Sequence, residues 1–219
     1  EAAKLMPEDQ DVQRGLAMAY EMGRYWERAI DVWTELMRGE PDSPVVGEAR
    51  SRIVALYKRQ NKLRSKITEF KEKFESTPPD VEAGYFLAEA YGKIGEHDRA
   101  EIVWQKIIDL DGKLDKDDIG ALQALEKAYT FRGETQKAIG VLQKLAEVRP
   151  ARAREYYQRI AELSLKNYND DQAVEYAQLA LQKNPDDAMA HAKLGDVYAK
   201  MQRVDDAIKS YRDSLDLDP

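Results

Sequence analysis

The side chains that most often carry chemistry are sparse in this 219-residue chain and are not grouped for it. There is no cysteine, which excludes disulfides, thiol catalysis and thiolate metal sites. The two histidines, His97 and His191, stand far apart and match no paired-ligand spacing such as HExxH. His97 is expected in a solvated turn and His191 as a structural histidine near the start of a helix. The acidic run at Asp115, Asp117 and Asp118 lacks the glycine and the distal glutamate of a calcium-binding loop. Gly23, Gly95 and Gly133 stand in separate turns, where a positive φ is cheap for glycine, and compose no phosphate-cradling GxGxxG or GxxxxGK[ST]. No nucleophile–base pair, metal set or phosphate cradle emerges. The expectation is a protein without enzymatic activity, cofactor or metal.

Charge is the remaining chemistry. The formal net charge is -7, opposite in sign to that of a general nucleic-acid binder, whose affinity comes from neutralising phosphates. Against that background, "RSRIVALYKRQNKLRSKITEFKEKF" (50–74) holds nine lysines and arginines and two glutamates. It reads either as a solvated helix face or as a patch for nucleic acid, anionic lipid or an acidic protein. Arg149, Arg152 and Arg154 form a weaker cluster. Hydrophobic residues make up 43% of the chain and charged ones 34%, enough to bury a core and stay dissolved. No apolar run approaches the ~20 residues needed to span a bilayer, and no leader is visible. The chain opens on Glu1 rather than Met, as expected of a fragment or a processed product.

The elements that must position these charges come from a repeat. Tyrosine recurs at Tyr20, Tyr57, Tyr91, Tyr129 and Tyr198, each preceded four residues earlier by Leu16, Ile53, Leu87, Leu125 or Leu194. Nine residues after four of the tyrosines stands an alanine: Ala29, Ala100, Ala138 and Ala207. A further unit keeps Ile160 and Ala173 in register and carries Ser164 in place of the tyrosine. Pro41, Pro78, Pro150, Pro185 and Pro219 close most units. Within a unit the apolar spacing is helical, as in Ala207, Ile208, Tyr211 and Leu215. Short polar turns divide each unit into two helices, and Asp or Asn beside Pro supplies stop and cap chemistry between units. No alternating strand pattern survives.

This pattern resembles the tetratricopeptide repeat, with six repeats at about 10–43, 47–80, 81–114, 119–152, 154–187 and 188–219, and residues 1–9 as the tail of a preceding one. The resemblance implies an all-α fold. About twelve main helices would stack as a right-handed superhelical solenoid in one domain. Three departures stand out. Lys66 replaces the small alanine of the second repeat, so that packing there must loosen or the lysine must snorkel. The family's first aromatic is missing, its places taken by Gln13, Arg50, Gly84, Leu122, Tyr157 and His191. Two inter-repeat turns, "RGEPDSPVVG" and "LDGKLDKDDIG", are lengthened.

In such a stack the first helices line a concave groove suited to an extended peptide or partner helix. The register places Arg14, Met18, Ser51, Lys58, Arg59, Tyr85, Glu89 and Lys93 there from the first three repeats. The later repeats add Gln123, Lys127, Phe131, Gln158, Glu162, Lys166 and Lys200. Arg59, Lys93, Lys166 and Lys200 read as a broken basic column, and Tyr85 and Phe131 as aromatic anchors. The groove suits an acidic peptide with one or two apolar side chains. Met18 stands where the chaperone-binding members of the family place an asparagine, so no carboxylate clamp of their type is expected. The expected function is an interaction scaffold for a protein or peptide. The alternative is a self-assembling or regulatory segment of a larger multidomain protein, joined through open terminal repeats, or the recognition arm of an enzyme.

Overall fold

The computed structural model describes residues 9–38, 43–114 and 116–218, without the side chain of Asp117. Among these residues are twelve α-helices, two short 3-10 turns and no strand. The chain divides into two compact units, 1–113 and 114–219, where the repeat pattern alone leads one to expect a single stack. The division falls in the lengthened turn between the third and fourth hairpins. Residues 1–8 of the expected tail at 1–9, together with Pro41, Asp115 and Pro219, lie outside the described residues, and its last residue, Asp9, caps the helix that begins at Gln10.

The first unit holds three helical hairpins: α1 (Gln10–Met22) with α2 (Trp26–Leu36), α3 (Pro44–Arg59) with α4 (Leu63–Phe74), and α5 (Val81–Ile94) with α6 (His97–Ile108). The second holds α7 (Ile119–Arg132) with α8 (Thr135–Val148), α9 (Ala153–Lys166) with α10 (Asp170–Lys183), and α11 (Ala188–Lys200) with α12 (Val204–Leu217). Each second helix also packs on the next first helix of its unit (α2 on α3, α4 on α5, α8 on α9, α10 on α11). Neighbouring first helices touch as well, α3 with α5 and α9 with α11. Hairpins that cannot bury an apolar face alone thus share a core.

The repeat residues do the same job each time. Ala29, Ala138 and Ala173 are fully buried and Ala100 and Ala207 nearly so, which lets the two helices of a hairpin approach closely. Every hairpin turn closes with one backbone hydrogen bond of 2.9 Å to the carbonyl at the tyrosine position, from Tyr25, Lys62, Glu96, Glu134, Asn169 and Arg203 in turn. This is the six-to-one bond of a Schellman cap, and the residue before each donor is left-handed. Gly95 and Gly133 fill that place at φ 86 and 73. Arg24, Asn61, Tyr168 and Gln202 fill it elsewhere at φ 56 to 60. Gly23 is not a left-handed turn residue: its φ is -75, because the cap geometry falls on Arg24 one position later.

The lengthened turn before the second repeat partly joins its helix. Ser43 caps α3 through its Oγ, which accepts from the Val45 N–H at 3.3 Å, and Pro44 occupies the first turn. Other helices start on Asp9, Asp80, Asn169 and Asp187, whose side chains accept from first-turn N–H groups. Lys66 snorkels. Its ammonium lies 5.1 Å from the Tyr57 ring centroid and donates to Glu69 at 2.7 Å, and the backbones of α3 and α4 approach each other closely over a shorter stretch than in the other hairpins. No described helix is long and apolar enough to cross a membrane.

Candidate functional site

In the first unit most of the residues assigned to the groove are engaged with the protein itself. Arg14 Nε pairs with Glu48 at 2.8 Å across the first two hairpins, and Met18 packs on the core. Glu21 is buried, accepts from Trp33 Nε1 at 2.9 Å, and draws Arg52 and Arg59 to 3.7 and 3.8 Å. Arg59 also lies over Trp26, 5.8 Å from the ring centroid. Lys58 Nζ donates to the Lys93 carbonyl at 2.9 Å, while the Lys93 side chain is exposed. Ser51 and Glu89 are half-buried.

Tyr85 is not an accessible anchor. It is only 6% exposed, packs edge-on against Trp104 with centroids 5.1 Å apart, and carries the Arg50 guanidinium 4.2 Å from its own centroid. The arginine standing at the family's aromatic position covers the ring that register alone turns outward. Burial lowers the Arg50 pKa, against the raising influence of Glu89. Next to Tyr85, a β-carbon on Gly84 would come within 2.6 Å of the Phe74 ring. The absent aromatic at that position is thus replaced by one from the preceding helix.

The basic run at 50–74 is largely neutralised. Glu69 accepts from Lys66 and Lys73 at 2.7 and 2.8 Å, Lys62 pairs with Glu27 at 2.8 Å, and Lys71 lies 3.9 Å from Glu75. In the second cluster Arg152 pairs with Glu155, and Arg154 with Asp187, the cap of α11. His191 is half-buried. Its Nε2 meets the Pro185 carbonyl at 2.9 Å and its Nδ1 lies 3.9 Å from Asp213, which ties the turn to α11. His97 is exposed at the start of α6. Among the described residues no three side chains of His, Cys, Asp or Glu gather as a metal set.

In the second unit Gln123 is half-buried, Lys127 is exposed and Phe131 is 85% exposed at the end of α7. The groove residues of the next two first helices meet. Gln158, Glu162, Lys166 and Lys200 line a recess of about 130 Å³ between α9 and α11. Its floor is Ala177 and Ala180 of α10, and Leu165 and Val197 stand in its walls. The rim electrostatics are unequal. Glu162 is held by Arg159 and Lys193 at 3.6 and 3.5 Å. Asp196 accepts from the Tyr211 hydroxyl at 2.9 Å, a bond that raises the tyrosine's pKa. Lys166 and Lys200 are exposed and have no ion pair among the described residues.

The structure brings four of the register-assigned residues together around this recess, whereas register did not anticipate Ala177, Ala180 or Lys193 there. The signal for the floor was present. Four residues after the small hairpin residue the other units carry Trp33, Phe70, Trp104, Leu142 and Tyr211, and only this unit carries an alanine, Ala177. For Lys193 no spacing rule applied, because its partner lies in the preceding hairpin.

Tetratricopeptide repeat models match residues 121–156 and 165–219. No curated protein matches the chain. Among solved structures, a crystal structure of MamA shares 21% identity over 75% of this chain and 94% of its own, at a TM-score of 0.51. A second MamA structure shares 20% identity over 78% and 91%, at 0.51. The AMB-1 form of MamA shares 18% over 80% and 93%, at 0.50. At these identities the likeness concerns the fold. The matched models place tetratricopeptide repeats at 121–156 and 165–219, and the six equivalent turns carry the same hairpin through the described chain, a fold that supports a protein-interaction scaffold.

Proposed function

We propose that the chain is a non-enzymatic interaction module that holds a peptide or a segment of a partner protein on the first-helix face of its repeats, with α9 and α11 as the best-formed part. The observation that carries this reading is the recess where Gln158, Glu162, Lys166 and Lys200 converge over an apolar floor. Its polar groups are ammoniums, engaged carboxylates and one amide, a set that binds rather than one that activates a nucleophile. A preformed face of packed helices loses little freedom on binding, so more of the contact energy appears as affinity. Capture of partners from a lysate tests it. Lys166→Glu with Lys200→Glu is expected to release the partner. The same reversal on second helices, Lys144→Glu with Lys183→Glu, is expected to retain it. Equal retention by both variants would remove the first-helix assignment.

A second reading, self-association through the last hairpin, is favoured by one feature. Val204, Ile208 and Leu215 are exposed along α12, Leu215 to 62%. Sedimentation velocity across a wide concentration range is expected to show association that Ile208→Glu with Leu215→Glu abolishes. A concentration-independent monomer would discard this reading.

A further inference from the structure

We infer that the recess between α9 and α11 is a socket for one aliphatic side chain of a peptide whose neighbouring residues are acidic. The inference deepens the groove reading above and rests on it.

The socket originates in missing volume. Every other hairpin fills the place four residues after the small hairpin position with a large side chain, and seven residues after it most are again large, as in Leu36, Ile107 and Leu145. Here both places are alanine, Ala177 and Ala180, and both are buried. Nothing from the neighbouring helices fills the space, and about 130 Å³ remains open toward the first-helix face. A dry apolar cavity of about 150 Å³ accepts a benzene-sized group, so this one fits a leucine, isoleucine or methionine side chain and is too small for an indole. Ala161, Leu165, Ala190 and Val197 complete an apolar lining.

The charge of the occupant follows from which rim groups are already engaged. Glu162 has two cationic partners and Asp196 a hydroxyl donor, whereas Lys166 and Lys200 have no ion pair among the described residues. Two unengaged ammoniums at the mouth of an apolar socket complement carboxylates flanking an apolar side chain. In a chain of net charge -7, this local positive rim is also what allows an acidic segment to approach.

The test uses fluorescence anisotropy on the whole chain. The probe is a labelled nonapeptide of serines that carries one central leucine with two aspartates on each side. Changing the leucine to alanine, or all the aspartates to asparagines, is expected to weaken binding about tenfold or more, and added salt is expected to weaken the acidic peptide alone. On the protein, Lys166→Glu with Lys200→Glu is expected to produce the same loss. Ala177→Leu copies the residue found in the preceding hairpin, Leu142, so it fills the socket without a foreign shape. It is expected to leave Tm unchanged or raised while the leucine peptide is lost. Binding that survives Ala177→Leu, or asparagine peptides that bind as well as aspartate ones, would overturn the socket. If the peptide fails to bind while the first-helix lysine reversal still releases a partner from lysate, the socket falls and the groove reading stands. If that reversal releases nothing either, both fall.

Discussion

Arg50 is a cation at 7% exposure, stacked on Tyr85, with its Nε buried and without a hydrogen-bond partner. Desolvating a guanidinium offsets much of what its contacts contribute, so removing the charge while keeping the stem should cost little. Arg50→Met is expected to be neutral or stabilising in urea unfolding, whereas Tyr85→Ala is expected to cost about 3–5 kcal/mol, as for a buried aromatic truncated to a cavity. A stability loss from Arg50→Met equal to that of Tyr85→Ala would contradict this. Gly195 tests close approach. A β-carbon there would sit 2.8 Å from the Tyr211 ring, so Gly195→Ala is expected to cost about 1–3 kcal/mol through forced repacking of α11 on α12. Gly140, inside α8, has nothing within 4 Å of such an atom, so Gly140→Ala is expected to gain up to about 1 kcal/mol in the same measurement.

Among elements, the hairpin is the unit that the sequence most openly encodes. The tyrosine-position carbonyl, the left-handed residue and the small alanine recur at fixed offsets, and local backbone geometry needs nothing else. That is why the helix pairs were legible from Tyr91, Ala100 and their equivalents. Which residue of a turn becomes left-handed was not legible where glycine is absent, as at Gln202, or stands one residue early, as Gly23 does before Arg24. Nor was it legible whether a groove cation is free. Arg59 is held by Glu21 and Lys58 by a carbonyl of the next first helix, and such pairings depend on how neighbouring hairpins pack. The same short-range pairs set an acid limit. Hydrogen bonds from Lys66 and Lys73 hold the Glu69 carboxyl below its ordinary 4.5, and Arg152 does the same for Glu155. Depressed carboxyl pKa values stabilise the fold fully above the ordinary value, and that contribution is lost as pH falls through the depressed one. Tm is therefore expected to decline as pH drops below 4.5, less steeply in Glu69→Gln. A variant that declines as steeply as the parent would rule Glu69 out as a contributor.

For the whole molecule, the balance of charge separates a stretch that looks basic from a surface that acts so. Lysines and arginines crowd residues 50–74, yet Glu21, Glu27, Glu69 and Glu75 hold most of those with a described ion pair. With a net charge of -7 around them, a mobility-shift assay at low salt is expected to show no retention of single-stranded RNA; salt-sensitive retention would restore the patch reading. The two unengaged lysines of the second unit instead flank an apolar recess, where a short acidic segment meets both charge and volume. Hydrogen-exchange mass spectrometry of the whole chain, with and without a captured partner or the leucine–aspartate peptide, addresses binding on this face most directly. Protection is expected to concentrate in α9 and α11, around 158–166 and 193–200. Protection confined to the second helices or to the hairpin turns would contradict it.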